Sequence, residues 1–255
     1  MIAIALQSGS NGNCIYVESG PTRLLFDAGI SGVRAQRRLA AEGRDIRTID
    51  ALIISHDHSD HVRSAGIYQR KFGVPLHITR DTLAAAARRY KLGTINDVHH
   101  FASGDVLRFG DVSVETIPTP HDGVDGSAFI VEADGRRLGI LTDLGHVFED
   151  LPEIMASLDG VLIESNYDPA MLKKGSYPPF VKDRIRGAGG HLSNGEAAAL
   201  LQDCTQGRLQ WACLSHLSGE NNSPAVAMQT HQKAAPAHLT LLAASRDEAV
   251  ILPEL

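Results

Sequence analysis

The sequence predicts an α/β (α+β) protein of two mixed β-sheets lying face to face with helices outside. Three observations lead there. Near the start, three short apolar runs are separated by turn-forming residues, as neighbouring strands require. In the middle, strand-type runs are hinged at Gly110-Asp111 and Asp134-Gly135, two-residue hairpin signals of which the second is the stronger. In the last hundred residues, strand-type and helix-type segments alternate, which suits sheets flanked by helices.

The elements follow in order. Ile2–Leu6, Cys14–Glu18 and Arg23–Asp27 are strands, broken by the Ser8–Gly12 and Ser19–Pro21 turns. Arg34–Glu42 is compatible with a helix, and Ile49–Ser55 is a buried strand. Ser64–Phe72 and Asp81–Lys91 read as helices, with Asp81 as the N-cap of the second. Val106–Phe109, Val112–Ile117, Ala128–Ala133 and Leu138–Thr142 are strands. Gly160–Glu164 is a strand, and Phe180–Arg186 and Asn194–Asp203 are helices. Leu209–Ser215 is a strand, and Ser223–Lys233 is a helix with Pro224 in its first turn. His238–Ala243 and Ala249–Leu252 are the final strands. No linker, repeat or low-complexity tract divides the chain, so residues 1–255 are expected to form a single domain.

Composition narrows the class. The chain is 43% hydrophobic and 21% charged, which is ordinary for a globular protein with a substantial core. No apolar stretch approaches the roughly 18 residues of a membrane span, and no basic n-region precedes an apolar core at Met1, so neither a membrane partner nor a signal peptide is expected. Cys14, Cys204 and Cys213 are odd in number and widely spaced. They fit buried or semi-buried thiols in a reducing cytoplasm. The net charge of −6 argues against a surface coated with basic residues.

The chemistry concentrates in His56-Asp-His-Ser-Asp-His61, directly after the apolar run Asp50–Ser55. This dense set of nitrogen and oxygen donors on the turn after a buried strand is what a divalent metal site needs. His56 and His58, two apart, can chelate one ion, while Asp60 and His61 can turn towards a second. One hexapeptide cannot surround two ions, and three further candidates stand at strand ends: His121, Asp143 and His216. Polar residues just past apolar strands collect along one sheet edge.

These residues resemble a known superfamily. His56-x-His58-x-Asp60-His61, followed by His121, Asp143 and His216 in order, is similar to the signature of the metallo-β-lactamase fold over essentially the whole chain. The resemblance implies a four-layer αββα sandwich with two divalent metal ions. His56, His58 and His121 would hold the first, Asp60, His61 and His216 the second, and Asp143 would bridge. Ser8-Gly-Ser-Asn-Gly-Asn-Cys14, Glu164-Ser-Asn166, Gly190-His-Leu-Ser-Asn194 and Leu214-Ser-His-Leu-Ser-Gly-Glu-Asn-Asn222 resemble the narrower YycJ/WalJ branch, related to ribonuclease Z-type phosphodiesterases. That branch implies a metal-dependent nuclease, with 5′-to-3′ DNA exonuclease action the usual assignment. The chain departs from it at Tyr167, where the branch commonly carries histidine.

Two metals clamp an in-line displacement and acidify a water into a nucleophile, which Asp60 or Asp143 is positioned in sequence to orient. The all-His/Asp donor set suits zinc first and manganese second. His191 is the candidate acid for the leaving alkoxide, with Glu164 orienting it. Ser193 or Asn194 is expected to start the next helix and offer its N–H groups to a phosphate. Lys173, Lys174 and Lys182, with Arg184 and Arg186, form a basic stretch suited to a phosphate backbone. Arg34, Arg37 and Arg38 are a weaker cluster, and Arg88, Arg89 and Lys91 read as structural cations at a helix end. Asp27, Ser10, Asn11, Asn13, Asn221 and Asn222 are candidates for supporting the ligands. Nucleic acid is therefore the expected substrate, DNA before RNA. The competing reading is a small-molecule hydrolase on the same fold, a thioesterase, lactonase or small cyclic phosphodiesterase. Oligomeric state is not readable from the residues.

Overall fold

The computed structural model describes residues 1–203 and 207–255. The chain divides into two compact units. The first comprises Met1–Pro118, Gly123–Ser127 and Ser245–Glu254; the second comprises Thr119–Asp122, Ala128–Ala244 and Leu255.

In the first unit the strands β1 (Ile2–Gln7), β2 (Cys14–Ser19) and β3 (Thr22–Phe26) form an antiparallel meander. Its second turn is Gly20-Pro21, with Gly20 at φ +55°, a left-handed conformation glycine adopts without a Cβ penalty. Helix α1 (Gly32–Ala41) is capped by Ser31, whose side chain accepts from the Arg34 N–H. β4 (Ala51–Ile53) then pairs in parallel with β3. The expected strand Ile49–Ser55 is shorter than predicted because a 3₁₀ turn at Ile46–Thr48 delivers the chain late to the sheet. The short helix α2 (Ser59–Val62) and α3 (Ala65–Phe72) follow.

Two-residue strands β5 (Leu76–His77) and β6 (Val98–His99) extend the parallel half on either side of α4 (Arg80–Arg89). They are too short for any sequence periodicity to register. Asp81 does not cap α4, contrary to expectation. Thr79 does, in extended conformation with its hydroxyl accepting from the Thr82 N–H, and Asp81 falls in the first turn, where its charge suits the helix dipole. The sheet order is β14-β1-β2-β3-β4-β5-β6, with β14 (Val250–Ile251) antiparallel to β1. The hairpin of β7 (Val106–Phe109) and β8 (Val112–Pro118) turns at Gly110-Asp111, as predicted. Ile4, Leu6, Tyr16, Leu25 and Leu52 pack with Leu39 of α1 and Tyr68 and Phe72 of α3 into one buried core.

His77 and His99 stack across β5 and β6, ring centroids 4.7 Å apart. Burial, then the neighbouring His99, pushes the His77 imidazole down to about 4. The unfolded chain takes up that proton near pH ~6.5, so stability is full above that pH and declines as pH falls towards 4. The urea midpoint of the protein is expected to drop between pH 7 and pH 5, and to drop less in His77→Gln. An equal drop in both would remove His77 as a contributor.

In the second unit β9 (Ser127–Ala133) and β10 (Arg136–Leu141) form the Asp134-Gly135 hairpin. Both turn residues have positive φ, +52° and +71°, as a type I′ turn requires. β10, β11 (Gly160–Glu164), β12 (Trp211–Ser215) and β13 (Thr240–Ala243) are all parallel. Between them run α5 (Leu151–Ala156), α6 (Pro169–Lys174), α7 (Pro179–Arg186), α8 (Asn194–Asp203) and α9 (Pro224–Gln232). Ser223 caps α9 and Pro224 opens it. The two mixed sheets with flanking helices expected from the sequence are present. Cys14 and Cys213 are buried free thiols, and burial raises both to about 12, so neither is nucleophilic near neutrality. Cys204 lies outside the described residues. Among the described residues, no helix is long and apolar enough to cross a membrane.

Candidate metal centre

Each unit carries a set of donors, and in each the backbone explains why. In the first unit, β4 runs out through Ile54 and Ser55 into the hexapeptide, and His58 occupies the N-cap position of α2 without spending its side chain on capping. Asp27, at the end of β3, grips both ends of this loop. Its carboxylate accepts from the Ser55 N–H (2.8 Å) and hydroxyl (2.9 Å) and from His61 Nδ1 (2.7 Å). Asp27 is held at φ +65°, an uncommon conformation for a residue with a Cβ, and these contacts over-determine it. The Nδ1 contact puts the imidazole proton there and leaves the lone pair on Nε2, the tautomer a metal ligand needs. His56 Nδ1 likewise meets the Ser55 hydroxyl at 3.0 Å. The rings of His56 lie 4.6 Å from His58 and 4.2 Å from His61. Three imidazoles so close gather several nitrogen donors in one small volume.

The glycine-rich loop at Ser8–Asn13 closes over this site. Asn13 accepts from the Gly9 N–H (2.8 Å) and the Ser8 hydroxyl (3.1 Å), and its amide nitrogen lies 3.0 Å from His61 Nε2. The Asn13 N–H donates to the Asp60 carbonyl at 2.7 Å. Gly29 is packed so tightly on that carbonyl that any Cβ would collide with it. Ser10 and Asn11 instead bind Arg246. The second carboxylate of the hexapeptide, Asp57, is fully buried. It accepts from the Val124 N–H (2.8 Å) and pairs with Arg89, which gives that helix-end cation a specific purpose the sequence reading missed. Arg34 and Arg38 bind Gln7 and are structural.

In the second unit the strand register brings the donors together. Leu141, Ile163 and Leu214 lie side by side in β10, β11 and β12. The residues just beyond, Asp143, Glu164 and His216, therefore reach the same C-terminal edge of a parallel sheet. Asp143 and His216 have φ of +57° and +55°; the Asn166 amide holds the latter by donating to its carbonyl at 2.8 Å. His121 donates from Nδ1 to the Gly190 carbonyl (2.7 Å), and its Nε2 lies 3.6 Å from Asp143 Oδ1. Donor atoms of Asp143, Glu164, His191 and His216 lie within 4.8 Å of one another. Glu164 is wholly buried and serves four donors: His191 Nδ1 (2.8 Å), His216 Nδ1 (3.2 Å) and the Leu144 and Leu192 N–H groups (both 3.1 Å). Burial alone pushes its carboxyl up, but the adjacent His191 and His216 outweigh this and hold it well below the usual carboxylate range.

The donor chemistry of both units therefore fits divalent ions. The proposed ligands are imidazoles and carboxylates, and His61, His121 and His216 each turn Nδ1 to a protein acceptor. Asp27→Asn is expected to weaken zinc binding roughly 10- to 100-fold, read by competition with a chromogenic chelator. Unchanged affinity would reduce Asp27 to a loop anchor.

The remaining expected residues sort unevenly. Ser193 forms a reciprocal capping box with Glu196: its hydroxyl and N–H meet Glu196 Oε2 at 2.6 and 2.8 Å, and the Glu196 N–H returns to the hydroxyl at 3.3 Å. Asn194 is locked with Ser165 and Asn222 in a buried network. Both side chains bond within the unit, and Ser193 starts the helix as expected. Lys182 donates to the Lys173 and Gly175 carbonyls. Arg184 makes a two-armed ion pair with Asp122, and Arg186 pairs with Asp183, so the basic stretch is opposed by more than Asp183. Lys173 and Lys174 end α6 at the surface. Asp122 gave no signal in the sequence beyond standing next to His121.

Comparison with known proteins adds the family context. The family model described as a beta-lactamase superfamily domain matches residues 22–216. The chain is 36% identical over 227 residues to the exodeoxyribonuclease WalJ of Streptococcus pneumoniae serotype 2 strain D39, covering 88% of this chain and 84% of that one. It is 32% identical over 219 residues to the exodeoxyribonuclease YycJ of Bacillus anthracis, covering 85% and 82%. In structure it is similar to the metallo-β-lactamase fold protein YhfI of Bacillus subtilis, with a TM-score of 0.74 at 14% identity over 98% and 99% of the two chains.

Proposed function

Because the chain belongs to the metallo-β-lactamase superfamily, with that fold and with the WalJ and YycJ exodeoxyribonucleases among its relatives, we propose that it is a metal-dependent DNA exonuclease hydrolysing phosphodiester bonds. The observation that carries the proposal is the His191–Glu164 pair beside Asp143 and His216. It sets a proton donor, oriented by a buried carboxylate, next to metal-type donors, which is the arrangement a phosphodiester leaving group requires.

The ligand assignment follows the resemblance: His56, His58 and His121 for one ion, Asp60, His61 and His216 for the other, Asp143 for both. Residues 1–255 as a single hydrolase domain are part of the same proposal. Bound divalent ions, zinc or manganese on donor softness, supply Lewis acidity and a water nucleophile at neutral pH. The chain's own residues do the rest. Asp60, whose side chain is 16% exposed, accepts a proton from and orients the attacking water. His191, also 16% exposed, protonates the departing oxygen, and Glu164 fixes its Nδ1 so that Nε2 faces the substrate. Action from the 5′ end is part of the proposal, as is a cytoplasmic location, which the two free thiols suit.

The test is product analysis on 5′- and 3′-end-labelled DNA and RNA with zinc or manganese. The expected result is immediate release of labelled mononucleotide from 5′-labelled DNA and progressive shortening of the 3′-labelled strand. Internal fragments would establish endonuclease action instead. Thioester or lactone turnover without cleavage of nucleic acid would overturn the reading.

A further inference from the structure

Arg184 and Asp122 meet at a small recess whose described walls are these two residues with His121, Ile185, Gly190 and His191. Arg184 is the one permanent cation among them. Its guanidinium donates to both Asp122 oxygens, from Nε at 2.5 Å and from Nη2 at 2.9 Å. The Arg184 side chain is 57% exposed and that of Asp122 33% exposed. An ion pair this open to water adds little to stability, because the solvent screens it and a long side chain loses rotamer freedom. Stability therefore gives no reason for a two-armed pair at this place.

Backbone ties the pair to His191. The Asp122 N–H donates to the Gly189 carbonyl at 3.0 Å, beside the His121 bond to the Gly190 carbonyl. His146 donates from Nδ1 to the Ala188 carbonyl at 2.8 Å, so three successive carbonyls of the His191 loop are held. From the other side, the Ile185 carbonyl of α7 accepts from the His191 N–H at 2.9 Å. Gly190 packs so closely on the Arg184 and Ile185 carbonyls that a Cβ would not fit. Arg184 thus rises from the turn of α7 that anchors His191. Asp122 Oδ1 lies 3.5 Å from His121 Nε2, so the carboxylate that holds the guanidinium also stands next to a nitrogen assigned to metal binding.

We propose that Arg184 is a catalytic residue that donates to a non-bridging oxygen of the scissile phosphate beside His191, with Asp122 as the positioning residue that aims it. A phosphodiester is an anion, and the Asp122 carboxylate at the rim of the recess would repel it if left alone. Arg184 cancels that charge. A guanidinium carries five N–H donors in a planar fork that matches phosphate, and Asp122 engages two of them. Arg184 gives up no proton; it holds the phosphate and stabilises the charge on its oxygens in the transition state. This rests on the phosphodiesterase reading above and deepens it: the site selects an anionic ester, which a thioester or a lactone is not.

The test pairs turnover of bis-p-nitrophenyl phosphate with binding of a fluorescein-labelled DNA duplex carrying phosphorothioate linkages, followed by anisotropy, both on the metal-loaded protein. Arg184→Met is expected to lower kcat/KM roughly 10²- to 10³-fold, the scale of one donor to a developing oxyanion. It is expected to weaken duplex binding roughly 10- to 150-fold, the scale of a hydrogen bond to a charged group. Metal content and thermal midpoint stay at the wild-type level, because the pair is exposed. Ethylguanidinium in solution restores part of the lost turnover, which a merely structural role would not allow. Arg184→Lys keeps the charge without the fork and falls between the two. Asp122→Asn lowers kcat/KM in the wild-type background and costs nothing further in Arg184→Met, since the two act as one. Arg47→Met removes an arginine of similar exposure, paired with the exposed Asp45, and leaves both readouts unchanged. An equal loss in Arg47→Met, additive losses in the double variant, or lost metal in Arg184→Met would each overturn the proposal. Wild-type turnover with no change in Arg184→Met sinks the role of Arg184 alone. No turnover by the wild-type protein sinks the enzymatic reading, and weaker duplex binding in Arg184→Met then still supports Arg184 as a phosphate contact.

Discussion

His58→Ala is expected to abolish nuclease activity and lower the metal content of the purified protein in the same step, with little change in thermal stability once metal is removed from both proteins. The magnitude follows from a comparison. Removing an outer partner of a metal-bound imidazole typically costs 10- to 100-fold in affinity or rate, so removing a donor itself should exceed roughly 10²-fold. His58 is the informative choice among the hexapeptide histidines. His61 is fully buried and bonded to Asp27, so its loss would disturb the loop as well as the site. His58 is only part-buried, stands at an N-cap without a capping bond, and touches the His56 ring at its edge. Elemental analysis with an end-labelled DNA assay checks the prediction. Retained metal with lost activity would make His58 a substrate contact, and retained activity would contradict a metal mechanism.

What the sequence disclosed depended on how local the signal was. The Asp134-Gly135 hairpin was legible because two residues with positive φ are a local chemical demand, and the structure has both. The hexapeptide was legible because its donors are adjacent in sequence. His121, Asp143 and His216 were legible only as polar residues after apolar runs, and the parallel register of β10, β11 and β12 turns that pattern into a shared edge for two of them. The supports were harder. Asp27 could be suggested as a carboxylate behind an imidazole, but not that it would bind Ser55 and His61 at once. Arg89 reaching Asp57, and Arg184 reaching Asp122, are long-range pairs with no local trace. Lys182, Ser193 and Asn194 show the reverse. Each had the right residue type for phosphate, yet their side chains bond backbone carbonyls, Glu196 and Asn222, partners distant enough in the chain or weak enough in pattern to leave no local trace.

Glu164→Gln carries the other large effect, and its value lies in separating two roles that meet at one carboxylate. Glu164 Oε1 faces His191 and His216, while Oε2 accepts the Leu144 and Leu192 N–H groups. A glutamine has one acceptor oxygen and one donor nitrogen. If the nitrogen faces the imidazoles, two ring N–H groups lose their partner; if it faces the backbone, two amides do. Either way buried donors are left unsatisfied, each costing on the order of 1–3 kcal/mol. The expected outcome is therefore a lower thermal midpoint and a fall in DNA hydrolysis of roughly 10²- to 10⁴-fold, the usual scale of general acid catalysis, together with weakened metal retention through His216. His191→Ala is the necessary companion. It removes the proton donor and leaves Glu164 bonded to His216 and both amides, so hydrolysis should fall on the same scale while metal content stays at the wild-type level. If Glu164→Gln also keeps its metal, the carboxylate acts through His191 alone and His216 is oriented by Asn166. If His191→Ala hydrolyses DNA at the wild-type rate, the proton reaches the leaving oxygen by another route and the His191–Glu164 pair is structural.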